Sequence, residues 1–171
     1  PNAPTGIALP RAELERVVAS NPYSVVVIDE AYVDFGAESC VPLIDRYDNL
    51  LVTQTFSKSR SLAGARLGFA VGCAELIADL NTVKYSTNPY NVNRMTMTAG
   101  AAALDDDGYY MANCREIAAT RDYVSRELRK LDLELTDSRT NFVFCRAPGV
   151  PGAEMYTELR ARGVLVRHFD K

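Results

Sequence analysis

Hydrophobic positions along the chain fall into two patterns. Runs rich in apolar residues occur at 23–28, at Leu50-Leu51-Val52 and at 67–72. The first is β-branched and ends at Asp29-Glu30, which predicts a strand buried on both faces, as in a parallel sheet. Other stretches repeat apolar residues every three or four positions and predict helices. One spans 10–20, with Leu14, Val17 and Val18 as its stripe and proline in its first turn. Another spans 73–84 (Leu76, Ile77, Leu80, Val83), and a small-residue helix spans 96–104. After the solvated triplet Asp105-Asp106-Asp107, the positions Met111, Cys114, Ile117, Arg121, Val124, Leu128 and Leu131 predict one helix of about 25 residues, roughly 35–40 Å long. A short helix at 39–47, broken near Pro42, gives a connection long enough for a parallel crossover into a strand at 50–55. Strands at 133–136, 141–146 and 164–167 surround a helix at 152–162 stopped by Gly163. The fold class expected is α/β, a parallel-containing sheet followed by a small α+β unit.

Ligands of open α/β sheets bind beyond the carboxyl ends of the strands. The run at 50–55 turns polar at that end and leads into Thr55-Phe56-Ser57-Lys58-Ser59-Arg60-Ser61-Leu62-Ala63-Gly64-Ala65-Arg66. A lysine and an arginine bracketing a small-residue loop suit an anionic ligand, and the lysine can also form an imine with an aldehyde. Asp29 ends the first strand on the same edge of the sheet. It reads as a cap for the following turn, or as the magnesium-binding residue of a P-loop ATPase strand, four apolar residues before Asp-Glu-Ala. No Gly-x-x-x-x-Gly-Lys-Ser/Thr accompanies it. Gly64, Gly68 and Gly72 do not form Gly-x-Gly-x-x-Gly and read as turn and packing residues.

Composition narrows the classes. The chain has 171 residues, 47% apolar and 24% charged, which provides material for a core. A net charge of −3 argues against nucleic acid as the main partner, and no apolar run reaches the roughly 20 residues of a membrane span. Cys40, Cys73, Cys114 and Cys145 are scattered, which favours reduced, buried thiols in a cytoplasmic protein over disulfides or zinc. His168 is the single histidine, so no His-rich metal site is expected.

The Thr-Phe-Ser-Lys-Ser loop followed by Ala-Gly-Ala-Arg-Leu-Gly-Phe resembles the active-site segment of fold-type I pyridoxal-phosphate (PLP) aminotransferases. Asp29-Glu30-Ala31-Tyr32 gives Asp29 its third reading, and its continuation Val33-Asp34-Phe35 with the lysine loop decides for it. Pro89-Tyr90-Asn91-Val92-Asn93 is similar to a segment of the histidinol-phosphate aminotransferases, and Ser138-Arg139-Thr140-Asn141-Phe142-Val143-Phe144 to a strand of that family's small domain. The resemblance implies PLP held by Lys58 as an imine, Asp29 on the pyridine nitrogen, Tyr32 on the ring hydroxyl, and Thr55, Ser57 and Arg66 on the phosphate. Pro4-Thr5-Gly6 matches an Asn-Pro-Thr-Gly motif with Ala3 in the asparagine place, so Asn2, one residue early, stands in for the bond to the ring hydroxyl. Arg167 falls where the family reaches a substrate phosphate. The resemblance implies the PLP-dependent transferase fold type I. Residues 1–88 would be part of the large, mostly parallel sheet domain, 89–131 connecting helices, and 132–171 most of the small α+β carboxyl-terminal domain. It also implies an amino donor and a 2-oxo acid as substrates, a homodimer, and histidinol phosphate as the amino donor. Relatives act on aromatic amino acids or decarboxylate threonine phosphate. The missing initiator methionine and the mid-motif start imply an internal piece of a longer chain, inactive alone because a ring-stacking aromatic and a phosphate-binding turn lie outside it.

Overall fold

Three strands and the connections between them carry the region around Lys58. The computed structural model describes residues 1–169. Helix α1 (Arg11–Ala19) follows Pro10, whose fixed φ suits a helix start. It ends where the Asn21 side chain donates to the Val17 carbonyl at 2.7 Å. Strand β1 (Val26–Asp29) runs parallel to β2 (Leu50–Thr55), and β3 (Gly68–Gly72) returns antiparallel on the other side of β2. The order β1-β2-β3 puts the most buried strand in the centre. Gly68 stands opposite Thr55, and a Cβ at Gly68 would come within 2.9 Å of the Gln54 carbonyl. That close approach requires glycine there.

The β1–β2 crossover contains two 3-10 turns, Val33–Phe35 and Val41–Arg46, where sequence periodicity predicts an ordinary helix for the second. Proline near its start removes a donor; the Ser39 hydroxyl accepts the Val41 amide, and the buried carboxylate of Glu30 the Cys40 amide. Glu30 accepts from the Cys40 amide, the Ser39 hydroxyl and the Gln54 side chain. Val18, Cys40, Leu43, Leu50 and Val52 form the core between α1, the crossover and the sheet. Burial pushes the Cys40 thiol up, with the Glu30 charge adding to it.

Two expectations for β1 are corrected. The strand begins at Val26, because the Ser24 amide turns back to the Asn21 carbonyl and leaves Tyr23 fully exposed. Burial alternates along it, and Val27 is 55% exposed. One face of β1 is therefore uncovered in this chain, in contrast to a strand buried on both faces.

Helix α2 (Ala74–Thr87) outruns the predicted stripe by three residues and has no fully buried side chain. Helix α3 (Arg94–Asp105) starts where Asn93 accepts from the Thr96 amide at 2.9 Å, an N-cap bond. Helix α4 (Asp107–Arg129) is the long helix, with 23 residues. The carboxyl-terminal part holds the two-stranded antiparallel pair β4 (Glu134–Leu135) and β5 (Cys145–Arg146), and helix α5 (Gly152–Ala161). The strand predicted at 141–146 shrinks to its last two residues, because the hydroxyls of Ser138 and Thr140 hydrogen-bond the Phe142 carbonyl and fold the segment on itself. The run at 164–167 is no strand: the Val164 amide closes α5 by bonding Leu159, and no neighbouring strand pairs with the run among the described residues. The four cysteines are free; Cys40 and Cys114 are buried, and Cys73 and Cys145 half-buried.

Candidate active site

Parallel pairing of β1 with β2 brings the carboxyl ends of both strands to one edge, with Asp29 opposite Thr53. Lys58 lies three residues past the end of β2, and Tyr32 three residues past the end of β1. The two meet: the Lys58 Nζ is 5.3 Å from the centroid of the Tyr32 ring. On its other side, Tyr32 packs edge-on against Phe142 at 5.4 Å. An aromatic wall with an amine over it thus stands at the open edge of the sheet. Lys58 is exposed and, among the described residues, pairs with no carboxylate.

Asp29 is also exposed. Its Oδ1 accepts from the Ala31 amide at 2.9 Å, and Oδ2 accepts no bond among the described residues. That turn bond is the capping role, and it leaves half of the carboxylate available.

The loop from β2 to β3 carries the remaining polar groups. The Phe56 amide donates to Leu67, and the Leu62 amide returns to Phe56, so the loop closes on itself. Thr55 works inside this closure, accepting from the Ser57 amide at 3.1 Å and donating weakly to the Leu67 carbonyl at 3.4 Å. The Ser57 hydroxyl makes no hydrogen bond among the described residues. Arg66 has φ +54°, the left-handed region, and turns Nη1 back to the Ala63 carbonyl at 3.1 Å. Its guanidinium is exposed.

Asn2 and Arg167 are placed differently. The Asn2 side chain accepts from the Thr5 hydroxyl within its own turn, which docks on the 136–142 segment. Gly6, at φ +75°, packs where a Cβ would overlap Ser138, and its carbonyl accepts from the Arg139 amide at 2.8 Å. The turn thus reaches the segment that carries Phe142, without a contact between Asn2 and Lys58. Arg167 lies 4.9 Å over the Phe169 ring, and no contact among the described residues joins it to the Lys58 group.

Several organising residues escaped sequence reasoning. Arg121 is buried in α4 and donates from Nη1 to the carbonyls of Phe35 (2.8 Å) and Thr140 (3.0 Å). It ties the turn after Tyr32 to the segment before Phe142, and so holds the aromatic wall together. Its signal was an arginine within an apolar helical stripe. Asp34, Ser59 and Arg60 make the other ties, over separations that no local pattern encodes.

The family profile described as aminotransferase class I and II matches residues 1–171. The chain belongs to the class I and II aminotransferases. Histidinol-phosphate aminotransferase 1 of Bordetella parapertussis is 53% identical over 169 residues, which are 99% of this chain and 48% of that protein. The chain spans about half the length of the curated relatives it matches. A crystal structure of histidinol-phosphate aminotransferase from Sinorhizobium meliloti, in complex with pyridoxal-5'-phosphate, superimposes with a TM-score of 0.81 at 27% identity, covering 98% of this chain and 46% of that one. L-threonine-O-3-phosphate decarboxylase from Porphyromonas gingivalis superimposes with a TM-score of 0.83 at 26% identity, covering 98% and 52%. The fold is part of the fold-type I aminotransferase fold, and membership of this family replaces the P-loop reading of Asp29. Among the described residues, no helix is long and apolar enough to cross a membrane.

Proposed function

We propose that this chain is the lysine-bearing part of a PLP-dependent histidinol-phosphate aminotransferase, which moves the amino group of histidinol phosphate to 2-oxoglutarate. The observation that carries the reading is the meeting of Lys58 and Tyr32 at the strand edge that also bears Asp29. Identities of 53%, 52% and 51% to histidinol-phosphate aminotransferases of three bacteria, each over nearly the whole of this chain, support this substrate.

The donor set fits PLP. Lys58 offers an amine without a carboxylate partner, for the aldehyde. Asp29 has a free oxygen for a protonated ring nitrogen, and Tyr32 a hydroxyl for the ring oxygen. Arg66 and Ser57 offer the phosphate a fork of donors and a hydroxyl. Thr55 would join them only by sharing a hydroxyl that already closes the loop. PLP supplies the electron sink when bound. With PLP in place, Lys58 would be the base that takes the proton from the substrate Cα. Asp29 would hold a proton on the ring nitrogen by its charge. In the same reading, Asn2 supports the ring hydroxyl from the docked turn, and Arg167 takes the substrate phosphate. The working enzyme would be a cytoplasmic homodimer, with residues 1–88 in its large domain, 89–131 connecting, and the remainder in its small domain.

Borohydride reduction of a full-length enzyme containing this chain, followed by peptide mass mapping, tests the assignment. A phosphopyridoxyl group on Lys58 is the expected result. The same group on Lys84 or Lys130, with Lys58 unmodified, overturns it.

A further inference from the structure

Lys58 is exposed, yet each of the two residues after it is tied by its side chain to another element. The buried Ser59 hydroxyl donates to the carboxylate of Asp34. Asp34 lies in the 3-10 turn Val33–Phe35, which begins right after Tyr32 and is pinned inward on both sides of Asp34 by Val33 and Phe35, 6% and 1% exposed. Arg60 runs the other way. Its Nη1 donates to the Ala103 carbonyl of α3 at 2.7 Å, its guanidinium lies 3.9 Å over the Tyr110 ring of α4, and Asp107 is 3.8 Å away. That side chain is only 9% exposed. The Lys58 carbonyl meanwhile accepts the Ser61 amide, which fixes the peptide that follows the lysine.

We infer that Ser59 and Asp34 are positioning residues for Lys58: their hydroxyl–carboxylate bond fixes the lysine backbone to the turn that carries Tyr32, and so sets the amine over the ring. The chemistry of the bond suits the task. A carboxylate accepting from a hydroxyl makes a short, strong hydrogen bond, here between a buried serine and a half-buried aspartate. It acts one residue from the lysine Cα, where any backbone rotation is carried along the whole side chain to Nζ. Arg60 supplies the second point of attachment, so the loop cannot pivot about Ser59 alone. The importance of this placement rests on the cofactor reading above; the placement itself can be tested without any cofactor.

Reductive methylation with formaldehyde and cyanoborohydride probes imine formation at each lysine of the folded 171-residue chain, read by peptide mass spectrometry. The quantity is the initial rate at Lys58 relative to Lys130, compared with the same ratio in the urea-unfolded chain. Lys84 relative to Lys130, with helical circular dichroism, reports whether a variant is folded. The unsubstituted chain is expected to depart from the unfolded ratio. Loss of a charge-assisted hydrogen bond loosens a contact by a factor on the order of ten, so Ser59→Ala should move the ratio several-fold toward the unfolded one. Asp34→Asn keeps the size and one acceptor oxygen and should move it less, while Ser59→Thr should leave it unchanged. If Ser59→Ala fails to fold, Asp34→Asn against Ser59→Thr still decides. Lower thermal stability with an unchanged ratio would mean a merely structural bond and overturns the inference. So does a folded, unsubstituted chain whose ratio equals the unfolded one. Failure of the borohydride experiment would instead remove the cofactor reading and leave this placement standing.

Discussion

Arg121 reaches across 86 positions of sequence to donate to the Phe35 carbonyl at 2.8 Å, with its side chain 5% exposed. The same nitrogen serves Thr140, and Nε and Nη2 lie on the Asp122 carboxylate. Replacing it by methionine keeps much of the volume but leaves two carbonyls without their donor in a buried place. Arg121→Met is expected to destabilise the chain by about 3 kcal/mol, read as a lower urea midpoint at unchanged slope. A midpoint within error of the unsubstituted chain would show that water replaces the guanidinium there.

Asp29 gives the sharpest separation between a turn cap and a catalytic partner. Asparagine can still accept the Ala31 amide bond, so Asp29→Asn should leave the melting temperature nearly unchanged. On the proposed reading, a full-length enzyme with this change retains cofactor but loses transamination by about 10²-fold or more, because a neutral amide cannot hold the ring-nitrogen proton. Steady-state rates beside cofactor absorbance test both halves. Near-normal turnover would leave Asp29 only its cap.

Strands β4 and β5 are short, and Glu134 stands opposite Arg146 across them. The hydrogen bond from Arg146 holds the Glu134 carboxyl below the usual glutamate range, and the same bond raises Arg146. A carboxylate with a lowered folded-state pKa contributes stability above its unfolded value and loses it as pH falls through the folded value. The Arg146 shift adds no pH dependence in that window, since arginine stays charged in both states. Glu134→Gln should therefore reduce stability slightly at neutral pH, and the difference should vanish in acid below the glutamate range. Because both groups are solvent-exposed, salt should shrink it too. Urea midpoints of the two proteins at several pH values settle the sign.

The parts legible in the sequence were those whose cause is local. The β-branched run before Asp29 and the switch from Leu50-Leu51-Val52 to Thr53-Gln54-Thr55 gave the strands and their parallel edge. The lysine loop and the Asp-Glu-Ala-Tyr turn placed Lys58 and Tyr32 at that edge, where they meet. The illegible parts depend on partners distant in sequence. The run at 164–167 has strand-forming residues, but a strand exists only beside another one, and here its first amide goes to α5. The segment at 141–146 is an apolar, strand-forming run (Phe142-Val143-Phe144-Cys145), yet upstream hydroxyls at Ser138 and Thr140 capture its start. The Ser59–Asp34 and Arg121–Phe35 bonds have no periodicity at all; only the folded chain brings those groups together.

Arg66 occupies a left-handed backbone conformation in which glycine would be at ease and any other residue is strained by about 1 kcal/mol. The loop thus carries a standing conflict between what folds best and what binds best. A library screened for heat resistance alone should favour glycine at this position, and a library screened for growth without histidine should reject it on the proposed reading. Position 66 is where the two selections are expected to diverge, and thermostable descendants of this chain would need to be checked there first for silent loss of phosphate affinity.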